Sequence, residues 1–371
     1  MNMKKSNNNV SLSFMGVAFM YTSAIMGAGF ASGREIWQFF GVFSDNAKFG
    51  VIFIGILFVI TGVMTCINSR YFNSNDMGKV IVPSGNKVFT EFIGYFMAII
   101  LFSVLVTMSA AGGALFKQEF GINKSIGGII IITLVLITVI GEFQRVSKVF
   151  RYIMPIMFAV VMIVSLMVIT KNIGNFGYDN VIEPSPIAGN YILASFLYIS
   201  YNILSVIPIV STASINAKNE KHALLGSALG GVMLAVLAFI LVIALQKDMH
   251  FSQALDLPML GYSARVSDLV HVVYAVVLLL SIYSSATGNF YGFTTKIKEG
   301  KNKNKYIIVA GIIGFTLGLL GFKNIVAYMF PLEGYLGFVI IIMLTVNFIK
   351  VIRKIRYERR ETQIRDIQGL Q

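Results

Sequence analysis

The sequence predicts an all-α integral membrane protein of about ten transmembrane helices, built as two five-helix halves of opposite orientation. Three observations predict it. Only 13% of the 371 residues are charged and the mean hydropathy is +0.76, whereas a soluble domain carries roughly 25% charged residues. Apolar runs of about 20 residues, the length that crosses roughly 30 Å of hydrocarbon, recur along the chain and leave only short polar connections. Lysine and arginine are dense in every second connection and sparse in the others, as they are when successive loops lie on opposite sides of a bilayer.

Apolar runs bounded by charge or turn signals place the spans at about 10–43, 50–69, 90–117, 124–142, 149–170, 187–215, 222–246, 265–295, 305–321 and 324–349. The opening MNMKKSNNN is basic and polar. The apolar segment after it far exceeds the 7 to 15 apolar residues of a signal peptide, so it is a retained first span. With the N-terminus inside, the cytoplasmic side holds Lys4, Lys5, Arg70, Lys79, Lys87, Arg145, Lys148, Arg151, Lys218, Lys221, the cluster Lys296 to Lys305 and the tail from Lys350 to Arg365, about 22 of the 30 lysines and arginines. The outer connections hold Lys48, Lys117, Lys124, Lys171, Lys247, Arg265 and Lys323. The remaining one is Arg34. This bias predicts a multi-pass protein of the cell's inner (plasma) membrane with both termini cytoplasmic.

The expected organisation is a cytoplasmic N-terminus over 1–9, a single transmembrane domain over 10–349 and a basic cytoplasmic tail over 350–371. Within the domain, repeat one covers about 10–170 and repeat two about 187–349. An odd number of spans per half inverts the second half relative to the first, an arrangement found in many secondary transporters. The tail RKIRYERRETQIR reads as a solvated helix extension near anionic headgroups.

Several classes are disfavoured. The net charge of +13 marks the cytoplasmic side and not a nucleic-acid surface. The one cysteine, Cys66, excludes an internal disulfide framework and a multi-cysteine metal site, and reads as a small buried apolar side chain. No P-loop motif is present, and no ring of repeated pore residues suggests a channel. A serine hydrolase built on Ser32 and His271 lacks the glycine two residues before the serine that would shape such a site. No cofactor is expected.

The first span, at about 34 residues, the sixth, at about 29, and the eighth, at about 31, are too long for a straight crossing. In an inverted pair of repeats the first and sixth correspond, so these two are expected to be broken. In the first, "SAIMGAGFASGREIWQFF", Gly27, Gly29 and Gly33 each cost about 1 kcal/mol relative to Ala in a helix interior. A break there must line a cavity, because freed backbone groups in lipid cost several kcal/mol each. Carbonyls freed around Ser23 to Gly27 suit a cation, and N–H groups freed around Phe30 to Gly33 suit an anion such as a carboxylate. Gly27, Ala28, Gly29, Phe30, Ala31, Ser32 and Gly33 are therefore candidate substrate contacts. Gly29 and Gly33 also fit a GxxxG helix contact, as do Gly226 with Gly230 and Gly314 with Gly318.

Arg34 is costly at membrane depth, about 2.5 to 3.5 kcal/mol on the insertion scale. It is expected to pair with Glu333 of "MFPLEGYLGF" as an outer gate, the alternative being that it snorkels to the headgroups with Trp37 as an interface anchor. Glu35 points about 100° round the helix from Arg34. Tyr198, Tyr201 and Asn202 of the sixth span and Thr107 of the third are candidate ligand contacts. His271 suits a proton relay or a satisfied structural histidine.

The glycine-broken first helix, the 5+5 layout and the eighth-helix run "SIYSSATGNF" resemble the amino acid, polyamine and organocation (APC) superfamily with the LeuT-type fold. More closely, "GAGFASGREIWQFF" resembles the YkvI family of bacterial membrane proteins. The resemblance implies a sodium ion between the first-helix break and the eighth helix, held by main-chain carbonyls of Ser23, Met26 and Ser281 and by hydroxyls of Ser284 and Ser285. Ser281, Ser284 and Ser285 fall on one helical face, and five oxygens suit a hard cation. Proton-driven relatives can place a lysine of the fifth helix there; this chain has none between Tyr152 and Thr170. The family departs from this chain at the sixth helix, where "SFLYISYNILSVIPIV" has no glycine pair, only Asn202 and Pro208. The expectation is a sodium-coupled secondary transporter for a small amino acid or related carboxylate-bearing solute, with that solute and the lipid bilayer as its partners. The alternative is a ligand-sensing receptor of the same fold that moves nothing.

Overall fold

The chain is described by a computed structural model over residues 11–82, 87–141, 143–171, 182, 188–298 and 300–367. The predicted N-terminal segment 1–9 and the last residues of the tail lie outside the described residues. The first span is a chain of three helices, α1 (Phe14–Ile25), α2 (Ala28–Ala31) and α3 (Arg34–Phe39). The second is α4 (Ala47–Phe72), followed by the short α5 (Met77–Ile81). The third to fifth are α6 (Lys87–Phe120), α7 (Lys124–Ile140) and α8 (Phe143–Thr170). In the second half, α9 (Tyr191–Ile215) and α10 (Glu220–Leu245) are followed by two short helices, α11 (Met249–Ala254) and α12 (Pro258–Val266). The chain then forms α13 (Asp268–Thr294) and α14 (Lys303–Gly318). The last span runs through α15 (Phe322–Asn324) and a π-helical turn, Ile325–Met329, into α16 (Phe330–Ile367).

Among the described residues six helices are long and apolar enough by length and composition to cross a bilayer, and Phe14–Ile25, Lys124–Ile140 and Met154–Thr170 are shorter apolar helices. Their outward faces are apolar too, with Ile52, Ile56 and Ile60 on α4 and Leu332, Leu336 and Val339 on α16 exposed. In water such stripes would be a liability; against lipid they are the ordinary surface.

Local sequence explains where the helices start. Ser13, Asn190, Asn219 and Ser267 are N-caps whose side chains accept from the backbone N–H of Gly16, Leu193, His222 and Val270 at 3.2, 2.9, 2.9 and 3.3 Å. Each satisfies one of the N–H groups that a helix start leaves without an acceptor. Pro258 opens α12, where its missing N–H costs nothing.

Packing pairs the halves as an exchange of repeats requires. The first span packs on the seventh as the sixth packs on the second, and the fifth touches the seventh as the tenth touches the second. Spans one, two, six and seven form one group. The third, fourth, eighth and ninth form another through α6, α7, α13 and α14. Small residues permit the closest approaches: a Cβ on Gly230 would lie 2.8 Å from Tyr21 Cβ, and one on Gly231 2.8 Å from the Val59 backbone nitrogen. Gly226, Gly314 and Gly318 likewise sit at helix contacts, as the small-residue spacing predicts.

The first span breaks where the glycines predict. The sixth does not: α9 stays helical across Asn202 and carries Pro208 inside it. The sequence reason is the missing glycine pair. A lone proline removes one i to i−4 hydrogen bond and bends a helix without unwinding it, and the Asn202 amide turns back to the Tyr198 carbonyl at 2.9 Å.

Candidate functional site

The first-span break starts at Met26, whose ψ of 59° leaves the helix, and Gly27 continues extended with ψ −174°. The Gly27 N–H bonds to the Ile25 carbonyl at 2.6 Å, so the Ser23 carbonyl has lost its i+4 donor. A second turn follows at Gly33, which adopts φ +77°, a left-handed conformation that glycine takes without penalty. Ser32 stitches this turn, donating to the Gly29 carbonyl at 3.2 Å and accepting from the Arg34 N–H at 3.3 Å. Between the two breaks α2 is a single buried turn, and the Tyr274 hydroxyl of the eighth span donates to the Ala31 carbonyl.

The eighth span meets the first break directly. Ser281 Oγ donates to the Met26 carbonyl at 3.5 Å, Ser284 Oγ donates to the Ser281 carbonyl at 3.2 Å, and a side chain at Gly27 would lie 3.3 Å from Ser285 Oγ. Ser23 lies one turn before the break, its own hydroxyl donating to the Met20 carbonyl at 2.7 Å. The five residues of the implied cation site are thus carried by two elements in contact.

A cavity of about 50 Å³ lies beside the break. Its polar lining is Glu35, Tyr201, Asn202, Ser205, Ser285, Asn289 and Glu333, drawn from the first, sixth, eighth and tenth spans. The third span closes it with Ile100, Val104 and Met108. Glu35 is 4% exposed. Its Oε2 accepts from the Tyr198 hydroxyl at 3.3 Å and from the Tyr201 hydroxyl. The carboxyl is folded back over α2, where a Cβ on Gly29 would overlap it. Gly29 therefore makes room for a carboxylate and not for a neighbouring helix.

Of the predicted contacts, Gly27, Tyr201 and Asn202 line the cavity. Tyr198 acts through Glu35 from behind the lining. Thr107 bonds to the Ser103 carbonyl of its own helix at 3.0 Å and takes no part in the lining. Glu35, Ser205 and Asn289 are the polar lining residues that sequence reasoning did not assign. The signal for Glu35 was present, an acidic side chain at membrane depth, but helical angle alone could not supply its partners.

The expected Arg34 and Glu333 pair is not formed. Arg34 is fully buried, and its Nη1 donates to the carbonyls of Ser252, Gln253 and Leu255 at 3.3, 3.4 and 3.2 Å, while Nη2 donates to Gln38 Oε1 at 3.1 Å. A guanidinium with five fixed donors is here the anchor of the loop that carries α11 and α12. Snorkelling is excluded by the same burial, and Trp37 is also fully buried, its indole N–H donating to Gln253 Oε1 at 2.6 Å. The loop is fastened further by Met259 N–H on the Ser32 carbonyl at 2.9 Å, Lys323 on the Gln253 carbonyl at 2.7 Å and an ion pair between Lys124 and Asp256. It forms a cap over the Gly33 turn. His271 pairs with Glu119 at 2.8 Å and with Ser263 Oγ at 3.1 Å, not with Ser32.

No protein-family model matches the chain. Over 329 residues it is 25% identical to the uncharacterized membrane protein YkvI of Bacillus subtilis (strain 168), covering 86% of this chain and 92% of that protein. The uncharacterized protein YyaD of the same organism is 22% identical over 330 residues, covering 86% and 93%. Among solved structures, the inward-facing conformation of Mhp1 superposes with a TM-score of 0.57 at 12% identity, covering 93% of this chain and 80% of that one. A manganese transporter of Eremococcus coleocola, in complex with an aromatic bis-isothiourea substituted compound, superposes with a TM-score of 0.53 at 13% identity, covering 94% and 79%. With its broken first span, ten-helix order and exchange-related packing, the chain has the LeuT-type fold and is similar over most of its length to the membrane protein YkvI.

Proposed function

We propose that the chain is a sodium-coupled secondary transporter for a small amino acid or related carboxylate-bearing solute. The observation that carries this reading is the contact of the eighth-span serines with the first-span break, Ser281 Oγ on the Met26 carbonyl and Ser285 against Gly27. A hard cation prefers oxygen ligands, and the carbonyls of Ser23, Met26 and Ser281 with the hydroxyls of Ser284 and Ser285 would provide five. The solute would lie at the cavity against Gly27, oriented by Tyr201 and Asn202. Because the cation and solute sites share the Gly27 turn, filling one favours the geometry of the other, which is coupling in its thermodynamic sense. Alternating access would be a rocking of spans one, two, six and seven against three, four, eight and nine. Arg34 would act in the outer gate by holding the cap loop, a role that needs no contact with Glu333. The protein would sit in the inner membrane with both termini cytoplasmic.

The test is thermal unfolding of the purified protein against a panel of amino acids and small carboxylates, each in sodium and in potassium. A ligand at 100 times its dissociation constant adds about 2.7 kcal/mol to the folded state. A stabilisation that requires sodium supports the reading, and the best ligand then goes into proteoliposome uptake, where binding without accumulation would favour the sensor. No shift with any compound in either salt would count against it.

A further inference from the structure

Glu35 and Glu333 line one cavity, and no lysine, arginine or histidine is among the residues that line it. Their surroundings differ. Glu35 accepts from two phenols, Tyr198 and Tyr201. Glu333 is 7% exposed. The Ser103 hydroxyl of the third span donates to the Ile100 carbonyl of its own helix at 2.7 Å. Arg34, one residue from Glu35 in the chain, is committed to the cap-loop carbonyls. Two carboxylates on one cavity with no cation in its lining repel each other, so one positive charge between them is favoured. The titratable groups facing Glu333 are Glu35 from the first span and Tyr201 from the sixth, while the third and eighth spans present only uncharged side chains. At about 50 Å³ the cavity has room for a water or two, or for one small cationic head.

We propose that the Glu35 and Glu333 pair is a site for one positive charge, held as an exchangeable proton on Glu333 without solute and replaced by the ammonium head of a primary amine when solute binds. The exchange balances. The Glu333 O–H bond breaks, its electron pair stays on the carboxylate, the proton leaves to solvent and the ammonium takes its place. The remaining ammonium N–H groups find acceptors in the side-chain oxygens of Asn202, Asn289 and Ser205. A solute with a carboxylate alone would leave the acid pair unserved, so the cargo must carry an amine. This rests on the transport reading only in taking the ammonium to belong to the cargo; the proton exchange is measured without transport.

The experiment titrates methylammonium chloride into the purified full chain in weakly buffered detergent solution with a pH indicator, at constant sodium chloride. Tetramethylammonium chloride and sodium acetate serve as controls. Methylammonium should release about one proton per protein, tetramethylammonium and acetate none, and Glu333→Gln should abolish the release while still unfolding cooperatively. Where Glu333→Gln does not fold, dicyclohexylcarbodiimide on the native chain takes its place. This reagent adds to a protonated carboxylic acid and leaves an N-acylurea, so Glu333 should be labelled at neutral pH, Glu35 should not, and methylammonium should protect. No proton release from the native chain, undiminished release from Glu333→Gln, or labelling of Glu35 in place of Glu333 overturns the proposal. A missing sodium response bears on the transport reading alone, because sodium is held constant here.

Discussion

Ser281 Oγ rests on the Met26 carbonyl at 3.5 Å, and this contact ties the eighth span to the point where the first stops being helical. Ser284 and Ser285 follow on the same face. Replacing both by Ala removes two hydroxyl oxygens and no packing volume of consequence. The double variant should fold with a melting temperature close to the native one and lose any sodium-specific stabilisation, read as the difference between melts in sodium and in potassium. A retained sodium difference would remove the ion from this place.

Arg34 holds three carbonyls of the cap loop from a fully buried position. Arg34→Ala leaves those acceptors and Gln38 without their donors, and a buried polar group left unsatisfied costs about 1 to 3 kcal/mol. Lysine has no fork and should restore little of it. Chemical denaturation gives the cost, and faster proteolysis within 248–267 would locate it in the cap.

Arg34 and Glu333 share no hydrogen-bond partner. Effects of Arg34→Ala and Glu333→Gln on stability should therefore add within about 0.5 kcal/mol, as for independent sites. A larger interaction energy in the double-mutant cycle would mean that the two meet in another conformation of the protein.

Gly29 sits where a side chain would overlap the Glu35 carboxyl. Gly29→Ala should destabilise by about 1 to 3 kcal/mol, the usual cost of overpacking. Adding Glu35→Ala to it should recover part of that loss, although Glu35→Ala alone destabilises. Absence of any recovery would place the cost in the α2 backbone and not in the carboxyl.

Tyr201 and Tyr198 both donate to Glu35. Each phenylalanine substitution removes one hydrogen bond to a buried carboxyl, worth about 0.5 to 3 kcal/mol. Because they share the acceptor, the two losses should not add. Unfolding free energies of the two single variants and the double variant decide this.

The sequence by itself determined the number and order of the spans, the break in the first, the small-residue contacts of α10 and α14, and the presence of charge at membrane depth. These are properties of single segments. Hydropathy sets how much chain can cross lipid, glycine content sets where a helix yields, and a buried arginine announces a partner without naming it. The sixth span shows the limit: symmetry with the first suggested a break, and the absence of paired glycines in its own sequence overruled it. Only the tertiary structure decided who meets whom. Arg34 found its acceptors on a loop 218 to 221 residues away, and Glu35 its phenols on a span 163 and 166 residues away. Glu333 came to the Glu35 cavity and not to the arginine. The reason is that a hydrogen bond is settled by approach to about 3 Å and by donor direction, whereas periodicity fixes only the face from which a side chain leaves its own helix.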